Sequence, residues 1–212
     1  MKFSKFISFI FGVLGFCAIA LGIALAMGNR DSKPMLLTSP DSAEAIITQT
    51  MDAICQGDYD TAGSNLYGAP DLGMNREASE PVGVLIWNAF VQSLSYEFVG
   101  DCYTTDAGLA RDVVIRGLDI GSVTASLGER STALLNQRVE QAGDPSEVYD
   151  ENNDFREDLV LYVLYEAAEQ ALAEDAAEKT WEITVNLVYE NGQWWIMPET
   201  MLLEAISGGI LK

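Results

Sequence analysis

Histidine is absent from this 212-residue chain. That removes Ser-His-Asp and Cys-His nucleophile activation and every zinc site that needs an imidazole. Bases are scarce as well, with 12 Lys+Arg against 32 Asp+Glu, a net charge of −20. Setting aside Lys2 and Lys5 leaves 10 bases against 32 acids from Gly28 onward, net −22. Nucleic-acid affinity comes mostly from Lys and Arg neutralising phosphate, so such a surface excludes nucleic acid as a partner. The same field keeps the domain from lying flat on anionic lipid. The acidity serves solubility, or it attracts cations or a basic partner.

Cysteine is limited to three residues, Cys17, Cys55 and Cys102. Soft metal ligands are therefore too few for a structural zinc site. No Gly-rich phosphate loop is present, because Gly121 and Gly128 lack the required spacing. The Asp150–Asp154 stretch has oxygen ligands but no suitably placed Gly and closing Glu, so it reads as a solvated loop before a helix rather than a calcium loop. The sequence thus points to no cofactor, no metal and no catalytic residue.

Long apolar runs are confined to one place. From Phe6 to Met27 there are 22 residues without a charge, enough for a membrane-spanning helix. Lys2 and Lys5 precede the run and favour a cytoplasmic N-terminus; Arg30 and Lys33 follow it and weaken that bias. Two readings stand. The run is a retained signal anchor, or it is a signal peptide cleaved after Ala26, since Ala24-Leu25-Ala26 is a small-x-small site. Either places Asn29 onward outside the cytoplasm, at the cell membrane or secreted. There Cys55 and Cys102 are free to pair, or they are two separate half-buried thiols.

The pattern then gives residues 1–28 as signal anchor, 29–40 as a polar, Pro-containing linker and 41–212 as one folded domain. Ser39-Pro40-Asp41 opens a helix that carries Ile46, Ile47, Met51 and Ile54 and stops at Gly57. A short helix is expected near 59–66, a loop over 67–81 and a helix over 82–93. Strands follow from Tyr96 and over 110–120, with a turn or bulge at Gly100-Asp101. Helices are expected over 122–142 and 154–177, joined by a mobile acidic loop at 143–153. The second of these carries Phe155, Leu159, Tyr162, Val163 and Leu172 along one side.

Trp181, Ile183, Val185, Leu187 and Tyr189 alternate with polar residues, and Asn191-Gly192 then precedes Trp194-Trp195-Ile196. Asn-Gly between alternating runs is a two-residue hairpin signal, because both turn positions need positive φ. It pairs Tyr189 with Trp194, Val188 with Trp195 and Leu187 with Ile196. Pro198 ends the strand, and a short helix over 201–206 closes at Gly208-Gly209. The order gives an α+β fold, with helices packed on a curved, mostly antiparallel sheet and a two-helix insertion over about 121–178.

Three motifs carry a family likeness. They are Met51 to Ala62 with Gly57-Asp58-Tyr59 at its centre, the strand Arg111 to Ile120 with its terminal Asp119, and the hairpin Asn191-Gly192-Gln193-Trp194-Trp195-Ile196. Together they resemble the nuclear-transport-factor-2-like superfamily, and more narrowly its anchored extracytoplasmic members from Gram-positive bacteria. The resemblance implies a cone-shaped α+β domain whose cavity candidates are Trp87, Tyr96, Tyr103, Asp119 and Trp195, with Asp101 nearby. Asp119 fits equally well as the cap of the following helix. The expected role is a membrane-tethered accessory domain that binds an envelope protein or a small ligand without catalysis. The alternative is a proton-transfer enzyme, isomerase or lyase in type, using an Asp/Tyr pair in the cone.

Overall fold

The computed structural model describes residues 40–72 and 80–211. The 6–27 run and most of the linker lie outside these residues. Among the described residues no helix is long and apolar enough to cross a membrane. The fold is α+β, with six α-helices and a four-stranded antiparallel sheet among the described residues. The residues divide into two compact units. One is a sheet unit of residues 40–72, 91–117 and 179–211; the other is a helical unit of residues 80–90 and 118–178.

The sheet unit begins with α1 (Pro40–Cys55). Ala43, Ile47, Met51 and Ile54 recur at helical spacing and are fully buried, each large side chain contributing about 1.5–3 kcal/mol by leaving water. The helix ends in a Schellman turn. The Gly57 amide donates to Ile54 O (3.0 Å) and the Asp58 amide to Ala53 O (2.8 Å), with Gly57 at φ +75°. Asp58 then caps α2 (Tyr59–Ser64), accepting from the Thr61 amide at 3.0 Å and the Thr61 hydroxyl at 2.6 Å. Buried Tyr59 donates its hydroxyl to Ile206 O (2.8 Å), satisfying the last carbonyl of α6 (Thr200–Ile206).

The sheet runs in the order β1 (Ser95–Thr105), β2 (Gly108–Leu118), β3 (Glu178–Glu190), β4 (Gln193–Ile196). β1 and β2 pair Tyr96 with Ile115 and Phe98 with Val113, and the register shifts between Val99 and Tyr103. Gly100 in that stretch has φ +71°, so the expected bulge is present. The terminal hairpin has the expected pairs, Tyr189 with Trp194, Val188 with Trp195 and Leu187 with Ile196. Its turn residues Asn191 and Gly192 sit at φ 57° and 91°. Trp181, Ile183, Val185, Leu187, Trp194 and Ile196 are buried, and α1 packs against β1 and β4. The outer edge of β4 is occupied. The Tyr67 amide donates to Ile196 O (2.8 Å) and the Ile196 amide to Asn65 O (3.1 Å).

In the helical unit Asp119 caps α4 (Ile120–Gln141), accepting from the Gly121 amide at 3.0 Å. The Asp119 amide donates to Ala177 O at 2.8 Å. α4 packs against α5 (Glu157–Glu174) through Val123, Leu127, Leu134 and Leu135 on one side and Val160, Val163, Leu164, Ala167, Ala168 and Ala171 on the other. This differs from the face expected for the second helix. Of Phe155, Leu159, Tyr162, Val163 and Leu172 only Val163 is buried, and Tyr162 is 57% exposed beneath the Arg138 guanidinium. The buried stripe runs through Val160, Val163, Leu164, Ala167, Ala168 and Ala171, whose three alanines permit close helix approach, while Phe155, Leu159, Tyr162 and Leu172 fall on its flanks.

The polar stretch between these helices is built rather than featureless. Asp144 caps a 3₁₀ turn over Pro145–Glu147. Asp150 Oδ1 accepts from the Asn152 and Asp154 amides at 2.9 Å, and Tyr149 stacks on Phe155 with ring centroids 5.1 Å apart. α3 (Pro81–Ser93) spans the boundary between the two units, with Val82, Ile86 and Phe90 buried.

Candidate functional site

Opposite its buried stripe, α1 presents Glu44, Ala45, Thr48, Gln49 and Asp52, with Gln56 just past its end. Glu44, Thr48, Asp52 and Gln56 follow at intervals of four, which keeps them on one side of a helix. With Asp58 and Thr61 at the start of α2 they line an open, shallow groove of about 670 Å³. Three of its nine lining residues are acids and none is Lys or Arg.

Each carboxylate is held by a neighbour. Asp52 Oδ1 accepts the Tyr96 hydroxyl at 2.6 Å. Asp58 is fixed by its two bonds to Thr61, and these hold its carboxyl below the ordinary carboxylate range. Glu44 meets Arg111 at 3.4 Å. Arg111 is an unusual neighbour. Its side chain is 13% exposed, it donates to Gly100 O at 3.2 Å, and its guanidinium carbon lies 3.9 Å from the Phe98 ring centroid. Its Nε is buried with no partner among the described residues.

Tyr96 is pushed up to about 12, mainly by burial and then by the bond to Asp52. It therefore remains a protonated donor across the physiological range. Tyr59 is pushed up further, again mainly by burial. The Cys55 thiol is raised by burial and then by Asp52, and the Cys102 thiol by burial and then by Glu44. Neither is an activated thiolate.

None of the five cavity residues expected from sequence is among the nine that line the α1 groove. Trp87 and Asp119 belong to the helical unit, where Trp87 packs on Phe90 at 5.3 Å and Asp119 serves as the α4 cap. Tyr96 and Tyr103 lie on β1 and Trp195 on β4, strands at opposite ends of the sheet order. Past the bulge Tyr103 is 42% exposed and donates to Asp112 Oδ1 at 3.0 Å, which also accepts the Thr184 hydroxyl at 2.7 Å. Asp101 is exposed in the bulge itself. Trp195 donates Nε1 to Glu190 O at 3.3 Å and meets Tyr67 edge-on at 6.5 Å. Of the five, Tyr96 bonds a groove-lining residue, Asp52.

Cys55 and Cys102 are both free and half-buried, so the pairing that the sequence allowed is not made. The cause is position along α1. Cys102 lies within hydrogen-bonding reach of Glu44, whereas Cys55 is eleven residues further along the same helix. At 1.5 Å per residue Glu44 and Cys55 lie about 16 Å apart along the helix, so the two thiols sit against different turns of α1.

Sequence reasoning passed over Glu44, Asp52, Asp58 and Arg111. The stripe at intervals of four was available as a signal, but the apolar stripe of the same helix drew the reading. Comparison with protein-family models, curated proteins and solved structures finds no match to this chain.

Proposed function

We propose that this chain is a membrane-tethered, extracytoplasmic accessory domain of nuclear-transport-factor-2-like type, of the kind anchored in Gram-positive envelopes. It binds a basic segment of another envelope protein along the α1 groove, without catalysis. The observation that carries the reading is the groove itself, in which Glu44, Asp52 and Asp58 are fixed in place and no lining residue is a base. Carboxylates already oriented by their neighbours spend little further entropy when a cation arrives. The charge of the whole chain steers such a partner toward it. Support for the tether comes from the uncharged 6–27 run. Support for the fold type comes from the order of helices, strands and terminal hairpin.

The test uses the full chain with a C-terminal tag. It is expected in the membrane fraction, resistant to alkaline extraction, with the tag accessible only from outside the cell. Recovery from the cytosol with residues 1–27 intact overturns the tether. In detergent, labelled hexalysine is expected to bind at low salt and to lose affinity when Thr48→Lys and Gln49→Lys are combined. Equal binding to that variant overturns the groove.

A second reading, proton transfer, draws on the Tyr96–Asp52 pair at 2.6 Å beside the same groove. It requires a carbonyl substrate whose turnover disappears in Asp52→Asn and Tyr96→Phe.

A further inference from the structure

Asn191 is the one asparagine of this chain that is followed by glycine. Both residues are exposed at the tip of the terminal hairpin, at φ 57° and 91°. Open space surrounds Gly192, where an added Cβ would meet nothing within 4 Å. Among the described residues no hydrogen bond restrains the Asn191 side chain. We propose that Asn191 is a site of spontaneous deamidation, guarded by the turn and exposed to attack when the tip frays, and that its isoaspartyl product releases β4 from its seat.

The chemistry uses the two residues and water. The Gly192 amide nitrogen gives its proton to water or hydroxide and attacks Asn191 Cγ. The new C–N bond closes a succinimide ring, the Cγ–Nδ2 bond breaks, and the side-chain nitrogen takes up a proton and leaves as ammonia. Water then adds to one of the two ring carbonyls, and the bond from that carbon to the ring nitrogen breaks. Opening at the main-chain carbonyl of Asn191 gives isoaspartate; opening at Cγ gives aspartate. The sum is an amide and one water converted to a carboxyl group and ammonia, with no change of oxidation state. Glycine favours the first step because its amide carries no neighbouring Cβ to block the approach to Cγ.

The folded turn holds that step back. A residue in the left-handed region has ψ near about +47°. The next nitrogen then lies across the Cα–C bond from the side chain, so Gly192 N cannot reach Cγ until the turn opens. Opening of a hairpin tip is a local event, far less costly than unfolding the chain. The rate therefore follows the open fraction of the tip.

The product cannot return to the same turn. Isoaspartate routes the main chain through Cβ and Cγ, which adds a backbone atom to a two-residue loop, and register in a hairpin is set by loop length and turn type. The pairs at stake are Glu190 with Gln193, Tyr189 with Trp194 and Leu187 with Ile196. Trp194 and Ile196 are buried, and Ile196 also carries the bonds to Asn65 and Tyr67. A new carboxylate beside Glu190 adds like-charge repulsion.

The test incubates the full chain in detergent at mildly alkaline pH, beside a synthetic peptide of residues 187–196 as the open reference. Mass spectrometry of digested samples locates the amide-to-acid mass gain, and enzymic methylation of isoaspartyl carboxyls identifies the product. Asn191 is expected to convert faster than every other asparagine of the chain. Asn153 is the sharpest comparison, since it has φ 59° as well but is followed by Asp154. Conversion in the chain is expected to be at least about tenfold slower than in the peptide and to approach the peptide's rate in unfolding urea. Equal rates in folded chain and peptide overturn the guard. Conversion of the peptide with none at Asn191 of the folded chain overturns the opening.

Hydrogen exchange on the separated isoaspartyl chain is the second measurement. The Ile196 and Tyr67 amides, which bond Asn65 O and Ile196 O, are expected to exchange faster than in the unconverted chain. Unchanged exchange at both overturns the release of β4.

Discussion

The Tyr96 hydroxyl donates to Asp52 Oδ1 across 2.6 Å, joining β1 to α1 between positions 44 residues apart. This bond fixes the central carboxylate of the groove. Tyr96→Phe is expected to cost about 0.5–1.5 kcal/mol, toward the low end because the pair is exposed to solvent. A double-mutant cycle with Asp52→Asn, measured by urea denaturation, should give a favourable coupling energy. A coupling of zero would show that the bond contributes nothing in solution.

The same tyrosine sets an alkaline limit. Burial and the bond to Asp52 push its pKa up from 10.0 to about 12. Below about pH 10 folded and unfolded chains both keep the proton, and the stabilising contribution is complete. Between about pH 10 and 12 the unfolded chain loses the proton first, so stability falls as pH rises. Tyr59 is raised as well and extends the decline. Tyr96→Phe should shallow the fall, read by denaturant midpoints at several pH values; an unchanged slope would assign the whole effect elsewhere.

Asp119 is a cap, and its removal should behave as such. Asp119→Ala is expected to cost about 1 kcal/mol, and Asp119→Ser or Asp119→Asn to restore most of it. Hexalysine binding should stay unchanged in all three, because Asp119 is not among the groove residues. Reduced binding in Asp119→Asn, with stability retained, would return this residue to the list of binding candidates.

Gly108 allows no side chain. A Cβ there would overlap Leu187 O on the neighbouring strand, and the glycine sits at φ +156°. Because the obstacle is backbone, Gly108→Ala should destabilise by about 1–3 kcal/mol or more, measured by thermal or urea unfolding. Gly128→Ala, where an added Cβ meets nothing, should be neutral or stabilising.

The α4–α5 contact gives a sharp comparison. Ala168→Leu is expected to cost about 1–3 kcal/mol by forcing the helices apart. Tyr162→Ala, at a 57% exposed position, should cost well under that. The reverse order would favour the face first expected from the sequence.

These cases mark what could be read ahead of the structure. The Asn191-Gly192 hairpin, the stop at Gly57 and the bulge at Gly100 are local. Each is imposed by backbone conformations that few residues adopt, so a short window suffices. The buried face of α5 was misjudged because periodicity ranks large residues first, whereas close helix packing selected Ala167, Ala168 and Ala171. Tyr96 was picked out by its chemistry, yet its partner was not. A bond spanning 44 residues leaves no trace in spacing. Arg111 was read as part of a strand and nothing more. Its partial burial against Phe98 and Glu44 depends on which face of β2 meets α1, and that is settled by three-dimensional packing.

The two ends of the sheet are treated differently, and this bears on what happens when molecules crowd together. Asn65 and Tyr67 already hydrogen-bond the outer side of β4, and the offset around Gly100 breaks the straight run of β1. Stacking chain upon chain into a fibre needs two flat, unoccupied strands that match. With the outer side of β4 engaged at Ile196 and β1 offset around Gly100, the two edges do not present matching straight runs of free backbone for strand pairing.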